Sequence, residues 1–248
     1  LVIADYFAKN GIGSLRMDDR GVGGSENGKP HPTSLDFAGD INSAVEYLVS
    51  KGYKNIGLLG HSEGGMISPI VASKNKNVKF IISLAGPGVP VNDLMYKQNE
   101  NFLKLNNVPK DALESELSKK KKMFDFIHFY KGNTLKTDFE KLLNETIKPS
   151  ENDKEALLGL TDPWFTYFIK FNPESYWSKI KIPVLALNGS LDVQVDAKQN
   201  LNGIRNALAK ANNKTSTIEE IPQLNHLFQT AKTGNVIEYA QIEETFAP

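Results

Sequence analysis

The 248-residue sequence predicts an α/β fold, a mainly parallel, doubly wound sheet with an inserted block of helices. Three observations carry that expectation. Short apolar runs with strand character alternate with amphipathic helical runs toward both ends of the chain, the pattern of βαβ units. The middle stretch, residues 91–179, shows helical periodicity and no strand. The motif Gly60-His61-Ser62-Glu63-Gly64 stands between an apolar run and a helix-compatible segment, the setting of a nucleophile elbow. The expected boundaries are a first core portion over residues 1–87, a helical cap over 88–180, and a second core portion over 181–248.

Residues 1–10 read as the end of an amphipathic helix stopped by Gly11. Residues 13–17 read as a short strand, followed by the glycine-rich turn of residues 18–25, which Asp19 and Arg20 are expected to pin by charge-assisted hydrogen bonds. That turn lacks both phosphate-loop spacings, so it is read as structural. Thr33 or Ser34 can cap a helix over residues 35–50, with Phe37, Ile41, Ala44, Val45 and Leu48 on one face.

The elbow strand covers residues 55–60, and residues 78–84 form another buried strand. In the middle block, residues 111–129 and 139–147 read as helices, and Trp164, Phe165, Tyr167, Phe168 and Phe171 form an aromatic cluster. Residues 182–187 are a strand, 198–211 a helix and 216–221 a strand, with a last helix expected over 235–246.

Composition narrows the function classes. Twenty-nine basic residues balance 29 acidic ones, so no net field draws nucleic acid or an anionic membrane. The absence of cysteine excludes disulfides, thiolate catalysis and cysteine metal sites. No His/Asp/Glu spacing suggests a metal, and no cofactor is called for. No apolar run reaches the length of a membrane span. The chain starts at Leu1 with no charged-then-apolar leader, which leaves cytoplasmic and exported locations both open.

Parallel-sheet geometry dictates where chemistry would gather, because ligands sit beyond the carboxyl ends of the strands. Ser62 follows one strand, Asp192 another and His226 a third. A neutral serine is a weak nucleophile and needs a base that titrates near neutrality, which is histidine. A carboxylate then holds the imidazole in the required tautomer. The Glu63 N–H, at a helix start, can face a developing oxyanion. Gly60 and Gly64 are expected to relieve crowding at the sharp turn. Asp196 competes with Asp192 one turn further along. His61 is expected to pack or hydrogen-bond beneath the site. His31 lies between two prolines and His128 beside two phenylalanines, and both read as structural. The run of lysines at 119–122 reads as a solvated helix face.

The segments DDRGVGGS, GHSEGG, PVLALNGSLDVQV and LNHLFQTAKTG together resemble the α/β-hydrolase superfamily, and within it bacterial capped serine carboxylesterases. The resemblance implies Ser62 as nucleophile, Asp192 as acid, His226 as base and the Glu63 N–H as one oxyanion donor. It implies a small-molecule ester as substrate, and a lid over an acyl pocket that Trp164, Phe165 and Phe168 could line. It also implies elements outside the given sequence, so the chain reads as an interior fragment. These are a glycine-rich loop before Leu1 with the second oxyanion donor, a strand between residues 13–17 and 55–60, and a final helix beyond Pro248. A peptidase or thioesterase on the same triad, and a non-catalytic binding protein of the same fold, stand as alternatives.

Overall fold

The computed structural model describes residues 2–247; Leu1, assigned by sequence to the first helix, and Pro248 lie outside the described residues. Four strands, β1 (Ile56–His61), β2 (Val78–Leu84), β3 (Val184–Gly189) and β4 (Ser216–Ile221), form one parallel sheet in the order β1-β2-β3-β4. In this sheet all carboxyl ends point the same way, so the loops after β1, β3 and β4 share one edge.

One sheet face carries Leu58, Ile81, Val184 and Ala186, all buried. After a first helix, α1 (Val2–Lys9), helices α2 (Ser34–Ser50), α3 (Glu63–Ala72) and α10 (Ala197–Lys210) supply the apolar side chains that meet it. In α2 the expected face is the one that packs: Val45 is buried, with Phe37, Ile41 and Leu48 against the same cluster. Its start is set by Thr33, whose N–H donates to the Asp36 carboxylate at 2.8 Å. That backbone bond is the main reason the Asp36 pKa is lowered. In α3, Met66 and Ile70 are fully buried, each contributing about 1.5–3 kcal/mol by leaving water.

Between β2 and β3 the chain forms only helices: α4 (Val91–Leu105), α5 (Lys110–Phe129), α6 (Leu135–Leu142), α7 (Glu151–Leu158), α8 (Pro163–Ile169) and α9 (Glu174–Trp177). They hold a small core of their own, with Phe124, Ile127, Phe139, Leu143 and Ile169 buried together. The helix expected over 139–147 starts earlier, at Leu135, and ends in a widened π turn, Leu143–Ile147. That turn keeps both Leu143 and Ile147 on the small core.

Three sequence expectations about the fold fail. Residues 13–17 are not a strand. The stretch has no ladder partner, and Leu15 and Met17 lie about half exposed. The alternation of Leu15 and Met17 with polar neighbours suits a strand, but a strand persists only where its N–H and C=O groups find a neighbour. β1 pairs with β2 alone, and residues 13–17 do not pair with it.

Nor does residues 235–246 form a helix; only a 3-10 turn, Val236–Gln241, appears. Ile237 is exposed, so the turn has no apolar face to bury. The chain instead returns to the core through Phe246, stacked on Phe228 at 5.5 Å. Finally, the side chain that pins the turn of residues 18–25 is that of Asp18: its carboxylate faces the Gly24 N–H and its carbonyl accepts from Ser25 Oγ, while Asp19 contributes only its backbone carbonyl, which accepts from the Val22 N–H at 2.9 Å. Arg20 reaches outward to Asp40 on α2 in a bidentate pair of 2.6 and 2.7 Å.

Candidate active site

Ser62 sits where β1 turns into α3, at φ 54° and ψ −118°. This is an unfavourable backbone for a residue with a side chain, and strain of this kind collects at functional turns. It is held by two backbone bonds: the Ser62 N–H donates to the Leu84 carbonyl at 2.8 Å, and its carbonyl accepts from Gly65 N–H at 2.9 Å. A Cβ on Gly60 would fall 2.1 Å from the Gly64 carbonyl oxygen, so the close approach there requires glycine. The expectation for Gly64 was wrong, since a Cβ at that position meets nothing within 4 Å. Gly65 is the second obligatory glycine, pressed against Gly86 beyond β2. The Glu63 N–H opens α3 and has no acceptor in its own helix.

Asp192 follows β3 with its side chain fully buried. One carboxylate oxygen accepts from the N–H groups of Gln194 and Val195 at 2.9 and 2.8 Å. The other faces His226 Nδ1 at 2.8 Å. A carboxylate only accepts, so Nδ1 carries a proton toward it, and the neutral form of the ring is the tautomer with its lone pair on Nε2. Asp196, the competitor, is spent elsewhere: it caps α10 by accepting from the Gln199 N–H at 2.9 Å.

The loop that carries His226 is shaped by Asn225, whose side-chain oxygen accepts from the N–H groups of Leu227 and Gln229. His61 fixes it from below, with Nε2–H donating to the His226 carbonyl at 2.7 Å and the two rings 4.7 Å apart. The structure therefore joins Asp192 to His226 and places Ser62, next to His61, on the same sheet edge. Among the described residues no hydrogen bond joins Ser62 to His226; such bonds commonly tighten only when substrate binds.

His61 titrates below its ordinary 6.5, chiefly because burial disfavours the imidazolium. The unfolded chain therefore binds this proton more readily than the native one. The stability contribution is complete above 6.5 and is lost as pH falls below it. Replacing His61→Gln keeps a donor without the titration. The drop in melting temperature between pH 7.5 and pH 5 is expected to be smaller in that variant than in wild type. An equal drop would remove His61 from the account of acid sensitivity.

The remaining sequence candidates separate clearly. His31 is largely exposed and faces Asp162 at 3.4 Å. His128 holds the Ile169 carbonyl at 2.9 Å inside the helical block. Lys119 and Lys121 pair with Glu116 and Asp125 on the surface of α5. Phe165 is buried in the small helical core, while Trp164 and Phe168 stack at 5.2 Å. Sequence reasoning missed the Glu63 side chain. Its Oε1 accepts from Ser34 Oγ at 2.6 Å and from Trp164 Nε1 at 3.0 Å. No local spacing signals that junction, because it joins three distant segments.

Among the described residues no group of three or more His, Asp or Glu side chains could hold a metal ion, and no helix is long and apolar enough to cross a membrane.

Residues 2–230 match the family model described as serine aminopeptidase, S33. No curated protein gives a significant match. Among solved structures, a monoacylglycerol lipase of Paleococcus ferrophilus aligns at 17% identity and TM-score 0.53, over 98% of this chain and 86% of that one. An alpha/beta hydrolase from Penicillium sp. sh18 aligns at 19% identity and TM-score 0.54, over 91% and 76%. A Pyrococcus furiosus esterase aligns at 18% identity and TM-score 0.55, over 89% and 65%. At these identities the likeness speaks for the α/β-hydrolase fold.

Proposed function

The chain belongs to the serine aminopeptidase S33 family of α/β hydrolases, and from that premise we propose that it is a serine carboxylesterase acting on short acyl esters through an acyl-enzyme. The observation that carries the reading is the buried Asp192–His226 pair, 2.8 Å apart on the same sheet edge as the strained Ser62. Ser62 Oγ attacks the ester carbonyl while His226 Nε2 takes its proton. The oxyanion faces the Glu63 N–H at the start of α3. His226 then protonates the departing alcohol, and water repeats the sequence to release the acid. The helices of residues 88–180 act as a cap over the acyl chain.

Peptide-bond hydrolysis is the second reading, favoured by the description of the matching family as a serine aminopeptidase. The same nucleophile and base serve both, so the pocket decides. Incubation with p-nitrophenyl acetate, quenched in acid, is expected to leave an acetyl group on the peptide containing Ser62, visible by mass spectrometry. The ester should turn over, whereas an aminoacyl p-nitroanilide should not. A reversed preference would establish the peptidase reading, and no adduct and no turnover with either would sink both.

A further inference from the structure

The Glu63 carboxylate sits at a junction that the chemistry above does not use. It belongs to the residue directly after Ser62, and its side chain is engaged by two other elements. A single oxygen, Oε1, receives Ser34 Oγ from the start of α2 at 2.6 Å and the Trp164 indole N–H from α8 at 3.0 Å. Ser34 is fully buried, so its hydroxyl depends on this partner. Trp164 is the point where the helical block between β2 and β3 is tied to the elbow by a side-chain bond to a charged group. Its indole is further fixed by Phe168, stacked nearly parallel at 9°.

The first turn of α8 is tied down nearby as well. Asp162 caps it through the Trp164 N–H at 2.8 Å, and the other oxygen of Asp162 faces His31, ahead of α2. This second attachment is exposed and contributes little. The first is partly buried, charge-assisted, and adjacent in sequence to Ser62.

We propose that the Glu63 side chain is a positioning residue that latches α8 to the elbow, holding the Trp164 indole as the wall against which the acyl chain of the substrate lies. The proposal rests on the esterase reading for its substrate, but the latch itself can be read without turnover. The protein has two tryptophans, Trp164 and Trp177. Trp177 is fully buried and bonded to the Pro87 carbonyl, so a change in emission on altering Glu63 reports Trp164.

The test uses the full chain with Glu63→Gln, Glu63→Ala, Trp164→Phe and the Glu63→Ala/Trp164→Phe double variant. The Gln oxygen can still accept the indole N–H, whereas Ala cannot. Tryptophan emission is expected to move to longer wavelength in Glu63→Ala and to stay near wild type in Glu63→Gln. With p-nitrophenyl butyrate, Trp164→Phe is expected to raise KM about tenfold, the loss of one hydrogen bond to a charged group. Adding Glu63→Ala to Trp164→Phe should raise KM little further, because both remove the same contact.

Unchanged emission in Glu63→Ala would overturn the latch, whether or not any ester is turned over. Additive effects on KM, or a loss confined to kcat and shared by Glu63→Gln, would overturn the role in holding the acyl wall. If wild type hydrolyses no ester, the esterase reading falls while the emission comparison still decides the latch.

Discussion

Ser62→Ala is expected to lower kcat for p-nitrophenyl acetate by about 10⁴ to 10⁶-fold, the cost of removing a nucleophile from a serine–histidine–carboxylate unit. The fold should survive the change. The two bonds that hold Ser62 in place run through its backbone, to Leu84 and from Gly65, and alanine keeps both. Alanine also tolerates φ 54° no worse than serine does, so no new strain enters. A far-ultraviolet circular dichroism spectrum and melting temperature close to wild type would separate lost chemistry from lost structure. Retention of more than about a tenth of the wild-type rate would remove Ser62 from the nucleophile's role, whatever the geometry around it.

The same elbow shows how far the sequence alone could be read. Gly60-His61-Ser62 after an apolar run marks a strand-to-helix turn because only glycine allows the chain to fold back so closely. The structure puts the Gly64 carbonyl 2.1 Å from any Cβ at position 60. The motif pattern then named Gly64 as the second crowded glycine. It is Gly65, since what crowds it is Gly86, beyond the next strand and invisible to a five-residue pattern.

β2 and β4 were legible to the residue because each is a compact run bounded by turn residues. Residues 13–17 have the same local signal and no neighbour to pair with, so their strand does not form. Local alternation records what a segment can pair with, and only the assembled sheet supplies the partner. The Glu63 junction escaped for a related reason: Ser34, Glu63 and Trp164 come from three separate elements, and no local spacing draws them together.

Asp192→Asn is the second large effect expected, about 10⁴-fold in kcat, and its cause is the tautomer of His226. In the native site Asp192 uses one oxygen for the Gln194 and Val195 N–H groups and the other for His226 Nδ1. An asparagine can keep its carbonyl oxygen on the two backbone donors, which pin it there. Its amide N–H₂ is then left facing Nδ1. An amide nitrogen donates, so Nδ1 must become the acceptor and the imidazole proton moves to Nε2.

A protonated Nε2 on a neutral ring cannot take the Ser62 proton, so the rate falls by that factor although every heavy atom stays in place. The control is Asp196→Asn. Asp196 caps α10 through the Gln199 N–H, a role asparagine fills about as well, so its activity should stay within roughly threefold of wild type. Single-turnover acylation with p-nitrophenyl acetate isolates the step at which the proton leaves Ser62. Equal losses in the two variants would make the acid a matter of general loop structure. A loss confined to Asp192→Asn, with its melting temperature near that of wild type, would place the effect on the direction in which one imidazole proton points.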